Sequence, residues 1–195
     1  MIVTPADVLG ELNEVEAKFA PGELYLCGDG DLLRRGPRVA VVGSRRASDD
    51  GLRRASVLSR TIAVLGTPLD TFYPRESREL QERIGREHLL VSQFPSGSPT
   101  TPKNFPSRDR TMALLTDATV IVEAGEWSGT LHHGWEALRL GRLLFLLESV
   151  TQDPALTWPK EMIRYGAQVL SSDNLEVMIE NLPRTSAENT IAFEL

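Results

Sequence analysis

Arg38-Val39-Ala40-Val41-Val42-Gly43-Ser44-Arg45-Arg46 is the stretch that decides the fold. Its valine-rich apolar run predicts a strand buried on both faces, and Gly43 lets the backbone turn tightly at the end. A helix is predicted over residues 48–60, so its N-terminal N–H groups and dipole lie beside Arg45 and Arg46. The stretch is neither a GxGxxG motif nor a Walker A loop. It indicates either an anion site or an ordinary strand-to-helix turn with solvated arginines.

Composition indicates one soluble α/β domain with small additions at its ends. The chain has 195 residues, 41% of them hydrophobic and 25% charged, which is ordinary for a globular protein. It contains no apolar run near the ~20 residues that a membrane span needs, and its N-terminus lacks the basic region of a signal peptide. These features predict a cytoplasmic protein without a membrane partner. Cys27 is the only cysteine, so the sequence excludes an internal disulfide and a cysteine-based metal site.

The charge of the chain is unevenly distributed. The net charge of −6 argues against a nucleic-acid partner, yet residues 34–60 contain eight arginines against Asp49 and Asp50. Positive charge is therefore concentrated around the Gly-Ser turn, although arginines on exposed helix faces are also compatible with simple solvation. The eight are Arg34, Arg35, Arg38, Arg45, Arg46, Arg53, Arg54 and Arg60.

Strands alternate with helices along most of the chain. An amphipathic helix is predicted from a Thr4 N-cap to about Phe19, and another over residues 76–87 with Leu80 and Ile84 facing inward. Further helices are predicted over residues 107–116, 131–140, 162–165 and 175–182. The predicted strands are residues 24–26, 39–42, 61–66, 89–92, 118–124, 143–147 and 167–170. This alternation predicts a doubly wound, mostly parallel sheet with helices on both faces.

Ligands of such sheets bind beyond the C-terminal ends of the strands. Three glycine-bearing turns, at Gly43, at Gly66 and over residues 125–130, are predicted to meet at this edge. Residues 95–106, with four prolines and no periodicity, are predicted to form an ordered functional loop. The connection between Arg60 and Thr61 is unusually short for a helix-to-strand loop.

In their order, these motifs resemble the DNA-processing protein A family (DprA, also called Smf). This family belongs to the Rossmann-like superfamily that also contains the LOG phosphoribohydrolases. The resemblance extends from about Leu24 to Ala167. It includes Tyr73-Pro74, residues 104–110 (NFPSRDR), residues 122–124 (VEA), residues 128–131 (SGTL) and Gly141-Arg142, besides the strands and turns already described.

The resemblance implies a non-catalytic protein without a cofactor that binds single-stranded DNA. Proteins of this family hand that DNA to a RecA-type recombinase during natural transformation, and a homodimer is expected. The expected organisation is an N-terminal helical extension (residues 1–23), a Rossmann-like DprA-type domain (24–183) and a C-terminal tail (184–195).

The resemblance also implies which residues bind phosphate or DNA. Arg45 corresponds to the family arginine after Gly-Ser and would contact phosphate. Arginine and lysine neutralise phosphates, and an exposed aromatic ring can stack on a base. No catalytic or metal-binding residue is expected. The candidate binding residues are Gly43, Ser44, Arg45, Arg46, Gly66, Lys103, Phe105, Arg108, Arg110, Ser128, Gly129 and Thr130.

Some of these assignments have alternatives. Phe105 is either a stacking platform or a buried loop anchor. Arg108 and Arg110 either bind phosphate or form surface ion pairs with Asp109 or Asp117. Trp127 either stacks on a base or covers the end of the sheet.

The sequence departs from the family pattern in three places. The helix, strand and Ser-Gly-x-Ala-x-Gly-Ile-Asp loop that the family has between the positions of Arg60 and Thr61 are absent, so the chain is either a shortened variant or lacks a segment of the native protein. Asp109 stands where the family has a second asparagine, which adds negative charge beside the phosphate path. Gln93 replaces a usual glutamate.

Two other functions are compatible with these residues. A LOG-like phosphoribohydrolase is suggested by Arg108, Met112, Gly125 and the Gly129-Thr130 pair. His132 or His133, however, stands where its glutamate is expected. Glu123 and Glu136 are the nearby carboxylates. Adjacent histidines on a helix point about 100° apart, so they cannot share one metal ion without help. A non-catalytic sensor of a nucleotide-derived signal would use the same pocket without DNA.

Overall fold

Two four-stranded sheets form the centre of the molecule. The computed structural model describes residues 1–43, 61–171 and 182. Within these residues the first sheet has the order β1-β2-β5-β4 and the second has the order β3-β6-β7-β8. The strands are β1 (Ile2–Val3), β2 (Leu24–Gly28), β3 (Val39–Gly43), β4 (Ile62–Leu65), β5 (Leu89–Ser92), β6 (Ala118–Glu123), β7 (Leu143–Leu147) and β8 (Gln168–Leu170).

The second sheet is parallel throughout, whereas the first is mixed. β4 and β5 are parallel, but β2 runs antiparallel to both β1 and β5. In the second sheet, Val120 and Ile121 of β6 are fully buried, as the apolar run predicts for a strand covered on both faces. The prediction of an α/β fold with a mostly parallel sheet is confirmed.

Within the described residues the strands are divided between two sheets. β3 pairs with β6, and β4 pairs with β5, but β3 and β4 do not pair with each other. A cavity of about 380 Å³ lies where they would meet, and Val39 and Val41 of β3 and Ile62 and Val64 of β4 are among its lining residues. No strand of the described residues fills this space, so each of these strands has one unpaired edge there.

Helices connect the strands and cover them. They are α1 (Pro5–Leu9), α2 (Glu14–Ala17), α3 (Arg78–Glu87), α4 (Asn104–Leu115), α5 (Thr130–Arg139), α6 (Glu148–Thr151) and α7 (Trp158–Arg164). Short 3₁₀ turns span Gly30–Leu33 and Arg75–Ser77. α4 joins the two sheets, because Met112 packs against the apolar clusters of both. None of the helices that the structure describes is long and apolar enough to cross a membrane.

The N-terminal helix is broken in two, contrary to the prediction of one helix reaching Phe19. Thr4 caps α1 as predicted, in a capping box with Asp7. The helix then ends at Gly10, whose φ of 81° is left-handed. Asn13 starts α2 by accepting hydrogen bonds from the N–H groups of Val15 and Glu16. The apolar periodicity continues across the break. Gly10 and Asn13 nevertheless end one helix and start the next.

Helix α3 is rotated relative to the prediction. Leu80 was expected to face inward but is 50% exposed, and Gln81 is buried instead. The Gln81 amide donates to the Leu69 carbonyl oxygen at 3.2 Å, which satisfies the buried polar group. Gly85 faces the same side, against Leu90 and Cys27, so the helix approaches its sheet through a small residue. The predicted helices at 48–60 and 175–182 and the tail 184–195 lie outside the described residues, apart from Leu182.

Candidate functional site

A cavity of about 640 Å³ lies at the C-terminal ends of β3 and β6. Three segments surround it: the end of β3, one face of α4, and the turn that leads into α5. This is the edge where the sequence places the ligand site of a parallel sheet. The lining residues are Val41, Val42, Gly43, Phe105, Pro106, Arg108, Asp109, Met112, Ser128, Gly129, Thr130, His132 and His133.

One face of α4 provides the largest wall. Phe105, Arg108, Asp109 and Met112 stand at positions i, i+3, i+4 and i+7, so they share a helix face. The loop before the helix is ordered by hydrogen bonds, since the Thr101 hydroxyl donates to the Asn104 side-chain oxygen at 2.8 Å.

Gln93, which follows β5, secures the middle of α4. Its side-chain oxygen accepts a hydrogen bond from the hydroxyl of Thr111. The departure from the family pattern at Gln93 therefore lies at a contact between the end of β5 and α4.

Phe105 both anchors α4 and lines the cavity. Its ring packs directly on Gly66, where a Cβ atom would come within 2.8 Å of it. The ring centre is 5.4 Å from that of Tyr73. Gly66 is therefore a glycine that permits close approach of an aromatic ring, and it lies beneath Phe105 rather than on the cavity surface. The anchoring alternative for Phe105 is observed, and its exposed part leaves room for stacking.

Arg108 is the cationic group on the α4 wall. It donates to the Val64 carbonyl oxygen at 3.3 Å, and its Nε atom lies 2.9 Å from an Asp109 carboxylate oxygen. His132 Nδ1 lies 3.9 Å from the other Asp109 oxygen. The ion pair predicted between Arg108 and Asp109 is therefore present. Arg108 carries positive charge at the cavity, and Asp109 partly compensates it.

Arg110 points away from the cavity. Its Nε atom donates to Glu136 at 3.0 Å, and its guanidinium lies 5.2 Å from the centre of the Phe19 ring. Residues two apart on a helix point about 200° apart, so Arg108 and Arg110 could not both face one pocket. The alternative pairing of Arg110 with Asp117 is wrong, because Asp117 pairs with Arg38 at 3.0 Å.

The turn before α5 forms the opposite wall. The Thr130 hydroxyl donates to the Gly43 carbonyl oxygen at 3.1 Å, which joins this turn to the end of β3. Ser128 donates to the Thr130 hydroxyl and accepts from the Thr130 N–H. The positive N-terminal end of α5, a ten-residue helix, therefore meets the cavity, as a site for an anionic ligand requires.

His133 is a buried structural histidine at the base of the cavity. Its Nδ1 atom lies 3.2 Å from the Asp109 carbonyl oxygen, and its Nε2 atom lies 3.0 Å from the Thr119 hydroxyl. Because a carbonyl oxygen only accepts, Nδ1 carries the proton and Nε2 accepts from Thr119. Burial disfavours the charged imidazolium and lowers the pKa of His133 to about 4. The residue is therefore neutral at physiological pH.

Glu136, one of the two carboxylates near the turn, is held by two arginines. Burial alone would raise the pKa of Glu136, but hydrogen bonds from Arg139 and Arg110 outweigh that effect and lower it. The distances are 2.7 Å to Arg139 and 3.0 Å to Arg110. Within residues 1–43 and 61–171, no group of three or more His, Cys, Asp or Glu side chains could hold a metal ion.

The structure brings six of the predicted binding residues to the cavity: Gly43, Phe105, Arg108, Ser128, Gly129 and Thr130. Ser44, Arg45 and Arg46 lie outside the described residues. Lys103 is exposed at the start of α4, Gly66 lies under Phe105, and Arg110 faces Glu136. Sequence reasoning did not assign Val41, Val42 or Pro106 to the site, and it named Met112 only for the hydrolase alternative. The helical spacing of Met112 from Phe105 and Arg108 was a usable signal for it.

Comparisons with known proteins agree with this geometry. Residues 56–183 match the family described as DNA recombination-mediator protein A. DprA of Bacillus subtilis is 26% identical over 89% of this chain and 68% of its own length. DprA of Streptococcus pneumoniae is 31% identical over 78% and 64%, and protein Smf of Synechocystis is 39% identical over 89% and 48%.

Two solved structures have the same fold. The crystal structure of DprA from Streptococcus pneumoniae superposes with a TM-score of 0.75 and 26% identity, covering 94% of this chain and 75% of that one. DprA from Helicobacter pylori, described for its single-stranded DNA binding mode, gives a TM-score of 0.76 and 20% identity, covering 94% and 98%.

Together, the fold and the comparisons define a Rossmann-like protein, with a cavity at the C-terminal end of β3 in its parallel sheet. Within that class, the chain belongs to the DNA recombination-mediator protein A family, DprA or Smf. It spans from about half to about two thirds of the length of the three relatives described above. Its alignment with the Bacillus protein extends over 204 positions but includes 89% of this chain, or about 174 residues. About 30 of those positions therefore face gaps in this chain.

Proposed function

We propose that this protein binds single-stranded DNA at the cavity formed by β3, α4 and the turn before α5, and acts in DNA processing and recombination without catalysing a reaction. The observation that carries the proposal is the convergence of Arg108 and the N-terminal end of α5 on one open cavity. Cationic side chains and helix N-termini are the groups that bind backbone phosphates. Family membership supports the same ligand, and the DprA of Helicobacter pylori is described as binding single-stranded DNA.

Further groups are proposed to extend the phosphate path beyond the cavity. Lys103 is exposed one residue before α4. Its ammonium group can therefore contact a DNA phosphate outside the cavity, beyond Phe105. Arg45 and Arg46 are assigned to the path from sequence, since they follow β3 directly. Arg110 is proposed to position α4 against α5 through Glu136 rather than to contact DNA.

Arg108→Gln is expected to weaken binding of a fluorescently labelled thymidine oligomer about tenfold. Removing one phosphate contact also lowers the slope of log affinity against log salt by about 0.7. Fluorescence anisotropy at several salt concentrations measures both quantities. Arg45→Ala is expected to act in the same direction.

Arg86→Gln is the matched control, because Arg86 is exposed on α3 and its loss changes the net charge equally. Thermal melting of Arg108→Gln shows whether losing the bond to Val64 also affects the fold. An unchanged affinity and salt slope in a folded Arg108→Gln protein would contradict the assigned contact. Failure of the unaltered protein to bind at low salt would reject the proposed function.

Asp109→Asn is expected to raise the affinity for the same oligomer about fivefold at low salt. A carboxylate ~4 Å from a phosphate costs about 1 kcal/mol in water, and the amide removes that repulsion. The gain should shrink as salt screens the charges. Anisotropy titrations test this, with Glu79→Gln on the exposed face of α3 as a control for net charge. Equal affinity of Asp109→Asn and the unaltered protein at low salt would show that no phosphate approaches Asp109.

A homodimer, a RecA-type recombinase partner and a cytoplasmic location are also proposed. Among the described strands, β8 ends the second sheet, and Ile163, Tyr165 and Val169 beside it are exposed, which suits a subunit contact. Sedimentation equilibrium giving only the 21.6 kDa monomer would contradict the dimer.

A RecA-type recombinase that loads onto DNA no faster with this protein would contradict that partner. A fusion found outside the cytoplasm in cell fractionation would contradict the location.

A further inference from the structure

Trp127 is almost entirely solvent-exposed. It is 96% exposed, the highest value among the exposed large hydrophobic residues of the described chain. Burial of an aromatic side chain is among the largest favourable contributions that a single residue makes to folding or binding. Trp127 makes almost none of that contribution to the fold. Its apolar surface therefore remains available for a ligand.

The turn that carries Trp127 is fixed at both sides. On one side, the Glu126 carboxylate accepts hydrogen bonds from the Thr157 hydroxyl and from the Thr157 N–H, the latter at 2.9 Å. These bonds lower the pKa of Glu126. On the other side, the Ser128 N–H donates to the Gly125 carbonyl oxygen at 3.1 Å. A turn held in this way presents the indole without the entropic cost of ordering a loose loop on binding.

The position of the turn associates Trp127 with the DNA cavity. The three residues that follow it, Ser128, Gly129 and Thr130, all line that cavity. Across the cavity, the α4 wall carries Phe105 with Tyr73 packed against it. Arg108 lies on the same wall as Phe105. Trp127 is not a lining residue itself but directly precedes Ser128, so a strand that leaves the cavity at the start of α5 passes beside Trp127.

We infer that Trp127 is a stacking platform for a nucleobase of the single-stranded DNA that binds at this cavity. The inference rests on the proposed function and adds a base contact to its phosphate contacts. Bases stack on aromatic side chains without regard to sequence, because every base has a π face. The occupant is therefore an unpaired base of the same strand, and recognition at this position is tolerant of sequence.

The decisive test compares two oligomers of equal length and charge, one of thymidine and one with abasic sites. Trp127→Ala is expected to weaken thymidine-oligomer binding about 5- to 150-fold, which corresponds to ~1 to 3 kcal/mol per stacked base. It should leave the salt slope unchanged, since stacking releases no counterions. On the abasic oligomer, Trp127→Ala and the unaltered protein should bind equally. Trp127→Phe should retain most of the affinity.

Tryptophan fluorescence gives an independent reading of the same contact. Binding of the thymidine oligomer should quench emission in the unaltered protein, and Trp127→Phe should abolish most of that quenching. Trp135→Phe is the matched control, because Trp135 packs edge-on against Tyr165, 5.4 Å away. It should leave the quenching intact.

The outcomes separate this inference from the proposed function. If the unaltered protein binds both oligomers but Trp127→Ala binds each of them equally well, the stacking inference is overturned and DNA binding stands. The stacking inference is also overturned, and DNA binding stands, if Trp127→Ala weakens binding of both oligomers to the same extent. If the unaltered protein binds neither oligomer at low salt, the proposed function itself fails.

Discussion

Replacing Asp117 by alanine is expected to lower the free energy of unfolding by about 3–5 kcal/mol, the cost of breaking a buried ion pair. Asp117 is 3% exposed and Arg38 is 11% exposed. The Asp117 carboxylate accepts from the Arg38 backbone N–H at 2.7 Å and from the guanidinium at 3.0 and 3.2 Å. Alanine would leave a buried guanidinium without its anion, at the point where β3 and β6 begin to pair. Urea unfolding measures the loss.

The Arg35–Asp31 pair provides a matched control. Its nitrogen–oxygen distance is also 3.0 Å, but both side chains are more than half exposed. Asp31→Ala should therefore change stability by at most about 1 kcal/mol. The double variant Arg38→Met with Asp117→Leu should be more stable than Asp117→Ala, because no charge is then buried alone. Equal losses for Asp117→Ala and Asp31→Ala would show that burial does not govern this pair.

Acidification from pH 6.5 towards pH 4 is expected to remove up to about 3 kcal/mol of stability through His133 alone. The pKa of His133 is about 4 in the folded protein and ~6.5 in the unfolded chain. Between these values the unfolded chain binds the proton more readily, so protonation favours unfolding. The contribution is fully present above pH 6.5 and is lost as the pH falls to about 4. Urea midpoints measured across this range report it.

The pH dependence must be read as a difference between variants, because carboxylates also titrate below pH 5. His133→Gln removes the titrating group, so its stability should fall much less between pH 7 and pH 5 than that of the unaltered protein. Parallel slopes for His133→Gln and the unaltered protein would contradict the assignment to His133.

Local signals in the sequence predicted the strands and much of the cavity. The apolar run of β6 is buried as expected, because a strand covered on both faces needs apolar residues throughout. In β3 only Ala40 and Val42 are buried, and Val39 and Val41 are half-buried beside the cavities, so the prediction of burial on both faces is wrong for this strand. Thr4 was recognisable as a cap, because capping depends on residues three positions apart. The order of strands and turns was sufficient to place Gly43 and residues 128–130 at one edge of a parallel sheet.

These local signals could not predict contacts between residues that are distant in sequence. Gln81 is buried in place of Leu80 because its partner, the Leu69 carbonyl, lies in another segment. Arg110 is turned towards Glu136, 26 residues later, and towards Phe19 in the N-terminal segment. Gly66 lies against the ring of Phe105, where α4 crosses the end of β4. Each outcome depends on which elements pack together.

The sequence by itself therefore determined the α/β class, the family and the edge at which the cavity lies, since apolar runs, caps and turn residues act over short distances. Only the tertiary structure decided that β3 and β4 belong to separate sheets, and that Arg108 faces the cavity while Arg110 faces Glu136. It also decided that Trp127 is exposed on a fixed turn. The physical reason is that burial and ion pairing depend on neighbours that are distant in sequence and meet only in the folded chain.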